Sequence, residues 1–218
     1  MDSLLSESNI LMDSIFEDNN YVLRGTTNGC TSEIVVPVQK LNLPNVEITA
    51  TDDTICYGES TTLSGTQGLA FYIWSSGSSK NQITVKPNST TWYYLTGKNV
   101  NLCEAKDSIE VYVNPKPNVY IEGDMEACEN SPANITAKGA HIYKWDYAGD
   151  QTGSSDSTVH PTISQTETFT VTGTDTTTLC SNTASWQVRK NNIPTITFTA
   201  PDKVCEGEIA SITATGAN

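Results

Sequence analysis

TICYGESTTLSGTQG (residues 54–68) decides the fold, because the chain writes it three times. EACENSPANITAKGA (126–140) and KVCEGEIASITATGA (203–217) follow the same pattern: a cysteine, a short polar turn, then a run of Thr, Ser and Ala around one aliphatic residue. Downstream of the first two copies, FYIWSSG (71–77) matches IYKWDYA (142–148). QITVKPNSTTWYYLTG (82–97) matches TVHPTISQTETFTVTG (158–173) and ILMDSIFEDNNYVLRG (10–25). Each of these last segments runs on into a second type of cysteine: Cys30, Cys103 and Cys180. The two cysteine series, Cys56/Cys128/Cys205 and Cys30/Cys103/Cys180, advance in step at roughly 75 residues, a period that marks a repeat architecture.

The repeats divide the chain into the back half of one copy (1–44), a complete copy (45–117), a second complete copy (118–194) and the front half of another (195–218). Proline stands at every junction: Pro44, Pro115 and Pro117, and Pro194. Proline fixes φ, so these junctions are expected to be short and stiff. Within 45–117 the pattern predicts strand A at Val46–Ile48, B at Thr61–Ser64, C at Phe71–Trp74, E at Gln82–Val85, F at Trp92–Thr96 and G through Ile109, Val111 and Val113. A turn is predicted at Tyr57–Ser60. No stretch keeps a helical apolar period. Short, evenly spaced, turn-punctuated strands give an all-β chain of tandem immunoglobulin-like β-sandwich repeats in a linear array. Trp74 and Trp145 recur at one position of strand C and read as core residues rather than sugar-stacking platforms. Tyr21 and Tyr93 fall at a corner-tyrosine position, where Phe169 replaces the hydroxyl.

A net charge of −13 and a pI near 4.4 argue against nucleic acid and anionic membrane as partners. No apolar run approaches the ~18 residues that span a bilayer, and residues 1–20 do not read as a signal peptide. No cofactor, metal or catalytic residue is expected. The cysteines lack CxxC spacing, and His141 and His160 recur in no other copy. Asp52-Asp53 and Asp146/Asp150 lack a calcium-loop pattern and read as solvated turns.

A copy of about 75 residues buries little surface, so bridges are expected to offset that, in an oxidising extracellular or cell-surface setting. The first pairing is one bridge per copy, Cys56–Cys103 and Cys128–Cys180, with Cys30 and Cys205 paired outside the chain. In a standard immunoglobulin topology Cys56 and Cys103 would lie near opposite ends of the sandwich. A bridge needs Cα atoms within about 7 Å, which leaves Cys56–Cys180 as the alternative.

The elements TICYGEST, YxW-S, TTWYYLTG and C…SIEVYVNPKP resemble the immunoglobulin-like and PKD-like repeats of large secreted Bacteroidota proteins, such as gliding-motility adhesins and other type IX secretion cargo. Cys56-Tyr57-Gly58-Glu59-Ser60 and Cys205-Glu206-Gly207-Glu208 carry the likeness best; Cys128-Glu129-Asn130-Ser131-Pro132 departs from it. The resemblance implies a repetitive surface fibre or adhesin and names no ligand. With no catalytic constellation in the chain, the expectation is a non-enzymatic segment whose partners are neighbouring repeats, with a surface glycan or protein as a candidate ligand. The other readings are carbohydrate- or surface-binding accessory repeats, for which Tyr120, Trp92 and Trp186 are the aromatic candidates, and a head-to-tail polymer. The same source implies O-glycosylation at Asp-(Ser/Thr) triplets. The acceptors here are Ser3, Ser14, Thr54, Ser108, Ser157 and Thr176, although Asp-Ser/Thr also marks turns. The N-linked sequons at Asn88 and Asn134 read as coincidental in a bacterial protein.

By alignment Asn218 corresponds to His141 and Met1 to Ile73. The expectation is a window onto a longer array. The polymer reading would instead join the two half copies across chains through Cys205–Cys30.

Overall fold

The computed structural model describes residues 12–147 and 155–216, and among them every regular element is a strand. In chain order these are β1 (Asn19–Thr27), β2 (Cys30–Val38), β3 (Ile48–Ala50), β4 (Thr54–Cys56), β5 (Thr61–Gly65), β6 (Phe71–Trp74), β7 (Gln82–Val85), β8 (Thr91–Lys98), β9 (Glu104–Asn114), β10 (Tyr120–Gly123), β11 (Glu126–Cys128), β12 (Ser131–Pro132), β13 (Ile135–Lys138), β14 (Ile142–Asp146), β15 (Thr158–Val159), β16 (Thr162–Ile163), β17 (Glu167–Thr174), β18 (Ser181–Asn191), β19 (Thr197–Thr199) and β20 (Thr213–Thr215).

Residues 45–117 supply one three-stranded sheet, β3-β5-β7, and one four-stranded sheet, β4-β9-β8-β6. Residues 118–194 repeat the plan with β10-β13-β15 and β11-β18-β17-β14. In strand letters this is A-B-E against A′-G-F-C, with A switching sheets part-way. The fold is an immunoglobulin-like sandwich. The strands form because the apolar pattern has period two. In β17, Phe169 and Val171 are buried while Thr168, Thr170 and Thr172 are not. In β8, Leu95 is buried and its neighbours Tyr94 and Thr96 are not.

The chain gathers into two compact units: residues up to Asp53 together with Ser60–Tyr112, and Thr54–Glu59 together with Val113 onward. In the first unit Leu63, Ile83 and Val85 are buried on one sheet, and Trp74, Leu95 and Val111 on the other. In the second, Val119, Ile121, Ile135, Val159, Trp145, Phe169, Val171 and Val188 form one cluster drawn from both sheets. Trp74 and Trp145 keep only 2% and 1% of their surface exposed. Each indole N–H donates to a backbone carbonyl, Lys80 O at 2.8 Å and Asp156 O at 2.9 Å. Neither indole face is open to a sugar ring.

Among the described residues the flanking segments hold one strand pair each, β1–β2 in the first unit and β19–β20 in the second. Tyr21, Leu23, Val36 and Val38 line one shallow apolar groove with Asp13 and Ile15. Leu23 occupies the register position of Leu95, yet is 54% exposed against none for Leu95. Phe198, Ile209 and Ile212 are similarly open.

Candidate functional site

Two features stand apart from the repeating scaffold: the sulfur chemistry and an aromatic sheet face. The first cysteine series is presented by a tight turn. After Cys56, Gly58 adopts φ 85° and Glu59 N donates to Cys56 O at 2.9 Å. Asn130 takes the same position after Cys128 with φ 59°, and Gly207 after Cys205 with φ 87°. Only glycine and asparagine visit this left-handed region readily, which explains their place in the motif. The second series sits in hairpins, Cys30 in β1–β2, Cys103 in β8–β9 and Cys180 in β17–β18. Asn99 N donates to Cys103 O at 3.1 Å and Leu102 N to Asn99 O at 3.0 Å. The later hairpin, one residue longer, makes the corresponding bonds, Asp175 N to Cys180 O at 2.9 Å and Leu179 N to Asp175 O at 2.8 Å. Leu102 and Leu179, just before each cysteine, both hold positive φ (65° and 60°), a strained choice for leucine. Asp175 also accepts backbone N–H bonds from Thr178 and Thr177, which hold its carboxyl below the ordinary aspartate range.

The expected pairs Cys56–Cys103 and Cys128–Cys180 do not form. Cys56 is bonded to Cys180, with Cα atoms 5.6 Å apart, and Cys103 and Cys128 are free thiols, as are Cys30 and Cys205. The reason is the length of strand G. Cys128 lies beside Asn191, the last residue of β18, while Cys180 immediately precedes Ser181, its first. The two ends of that 11-residue strand are about 35 Å apart, some five times a bridge's reach. In the preceding copy Tyr57 N donates to Asn114 O at the far end of β9, whereas Cys103 abuts Glu104 at its start. A bridge within one copy is therefore excluded in both. Thr54–Glu59 instead belongs to the second unit, where Cys180 is fully buried.

The aromatic feature lies on the outward face of β6, β8 and β9. Trp92 and Tyr94 stack with ring centroids 6.5 Å apart and planes 26° from parallel. Phe71 and Ile73 on β6 and Tyr112 on β9 share the outward parity, and all five are about half exposed. Glu110 lies opposite Trp92 and accepts a hydrogen bond from Tyr112, which raises that phenol's pKa. The corresponding outward positions of β17 and β18 are Thr168, Thr170, Ser185 and Gln187, so the face is a property of one copy and not of the repeat. Of the aromatic candidates, Trp92 belongs to this face. Tyr120 lies on the other sheet of the second copy, opposite Lys138, and Trp186 packs on the second core with its indole N–H on Asp124 O. Tyr94, Phe71 and Tyr112 were missed, although alternation with buried Leu95, Trp74 and Val111 places them outward.

Ser14, Thr54, Ser108, Ser157 and Thr176 are exposed, and Ser3 lies outside the described residues. Several of their aspartates already serve the fold: Asp13 accepts from Tyr21 Oη at 2.6 Å, Asp175 caps its turn, and Asp107 accepts from Ile48 N at 2.7 Å. His141 Nδ1 accepts from Thr176 N at 3.2 Å, and His160 meets Asn134 Oδ1 at 2.8 Å. Among the described residues no cluster of three His, Cys, Asp or Glu side chains could hold a metal. Asp150 lies outside them.

No protein-family model matches the chain. No curated protein matches it either. Among solved structures it is similar to the fibronectin(III)-like modules of Clostridium thermocellum CbhA, at 11% identity over 67% of this chain and 95% of that one, with a TM-score of 0.36. It is also similar to three N-terminal domains of the bacteriophage RB49 Highly Immunogenic Outer Capsid protein, at 15% identity over 79% of this chain and 70% of that one (TM-score 0.34). The insect immune protein hemolin follows at 12% identity over 80% and 56% (TM-score 0.31). At these values the likenesses carry no argument, and the fold assignment rests on the strand order.

Proposed function

We propose that this chain is a structural segment of an extracellular or cell-surface fibre, a non-enzymatic array of immunoglobulin-like domains that spaces and displays what it carries. The observation behind this reading is the bridge Cys56–Cys180, which ties one sequence copy to the next instead of closing a copy on itself. Such a bond persists in oxidising compartments. The acidic surface favours solubility and mutual spacing, and the resemblance to Bacteroidota adhesin repeats fits a long array with domains at 45–117 and 118–194. Exposed Ser14, Thr54, Ser108, Ser157 and Thr176 are the glycan acceptors in this reading. Small-angle scattering tests the arrangement. A compact globule of this length has a radius of gyration of about 17 Å. A value well above that supports the stalk; a value at it removes the proposal. An intact mass from the native source equal to the bare polypeptide removes the glycans.

The aromatic face of β6, β8 and β9 supports a second reading, in which the 45–117 copy also binds a ligand. Stacked, half-exposed Trp92 and Tyr94 beside Glu110 suit the apolar face and hydroxyls of a sugar ring. Retention on a polysaccharide column that Trp92→Ala abolishes supports this; equal elution of both proteins rejects it.

A further inference from the structure

We infer that Cys103 and Cys128 are the two ends of further bridges of the Cys56–Cys180 kind: Cys103 takes the turn cysteine of a preceding copy, and Cys128 the hairpin cysteine of a following one, in the same polypeptide. The observed bridge supplies the rule. It joins the turn cysteine of one copy to the hairpin cysteine of the next. Cys128 occupies the position of Cys56, at the end of the short strand beside the last residue of strand G. Cys103 occupies the position of Cys180, in a hairpin one residue shorter that is closed by the corresponding backbone hydrogen bonds and carries the same left-handed leucine before the cysteine. Both are free thiols.

The alternatives within a copy fail on distance. Strand G separates Cys128 from Cys180 and Cys56 from Cys103 by its whole length, about 35 Å. Only an adjacent copy can bring a turn cysteine to a hairpin cysteine. Applied throughout, the rule gives a staggered ladder in which each copy is bonded once forward and once back. Each rung forms by exchange with a small disulfide such as oxidised glutathione: two thiols give up two protons and two electrons to make the S–S bond, and the oxidant leaves as two reduced thiols. The inference stands independently of what the array displays or binds.

Lengthening the full chain by one copy tests it. In one variant residues 45–117 are repeated directly after Pro117, which keeps a Pro-Asn junction because Asn45 replaces Asn118 there. The protein is oxidised in glutathione buffer, free thiols are capped with iodoacetamide, and peptides are mapped before reduction. The expected result is a new peptide joining Cys56 of the first copy to Cys103 of the inserted one, with Cys56 of the inserted copy on Cys180. A capped Cys103 in the inserted copy, or its bond to Cys56 of the same copy, overturns the inference. A second variant repeats residues 118–194 after Pro194. Here Cys128 of the earlier copy is expected on Cys180 of the later one, and finding that Cys128 capped overturns the rule even where the first variant does not fold.

Discussion

Four tryptophans fall into different energetic classes, and parity along a strand sorts two of them cleanly. Trp74 points inward and loses its surface; Trp92 points outward and keeps half of it. Trp74→Ala is expected to cost about 3–5 kcal/mol, and Trp92→Ala within about 0.5 kcal/mol, in urea unfolding followed by circular dichroism. Asp175 gives a pH-dependent counterpart. Its folded pKa is lowered, by backbone N–H bonds from Thr178 and then Thr177. Its contribution to stability is therefore present above the unfolded aspartate pKa and is lost as pH falls through the lower folded value. In a carbon-detected NMR titration its carboxyl is expected to titrate below an ordinary aspartate, and Thr177→Pro, which removes one donor, is expected to raise it. A midpoint unmoved by that change refutes the assignment.

At the scale of elements, close approach of backbones fixes where side chains cannot go. Gly139 follows β13 at φ 91°, and a Cβ there would lie 1.9 Å from Asn118 O, a backbone atom that no rotamer change can move. Gly68 has nearly the same φ but open space around it. Gly139→Ala is expected to lower stability by more than 2 kcal/mol and Gly68→Ala by about 1 kcal/mol or less, as read by thermal melts. Most of the elements of the 45–117 copy were legible in the sequence. The predicted strands B, C, E, F and G match β5, β6, β7, β8 and β9, because each is a short run of β-branched, aromatic or aliphatic residues bounded by turn residues. Strand A is offset by two residues, since Val46 and Ile48 share a parity that the pattern alone does not bound. The short β4 was not legible. Its three residues, Thr54–Cys56, are too few to show a period, and they pair only because the chain crosses to the other sheet. That strand carries Cys56, so the cysteine ladder could be counted from sequence while its connectivity could not. The turn motif was readable as a turn, but not as a connector placed at the far end of strand G.

At the scale of the whole molecule, the bridge encloses a sequence separation of 124 residues. On the chain-entropy model, closing such a loop restrains the unfolded state by about 5 kcal/mol, of which engineered cases deliver less. Cys56→Ser and Cys180→Ser are each expected to destabilise the second unit by about 2–4 kcal/mol in urea, and the double variant no more than either alone. Cys30→Ser is expected to leave it unchanged. Additive losses from the two single changes would mean that the thiols act separately.

The same bond redirects tension. Pulled from its ends, an oxidised chain transmits load from Cys56 straight to Cys180, and everything between them is shunted out of the line of force. Unravelling can then release only the outer segments. The enclosed stretch, about 400 Å when fully extended, stays hidden until the bridge is reduced. A surface filament built this way would have its maximum stretch set by sulfur chemistry rather than by the stability of its cores.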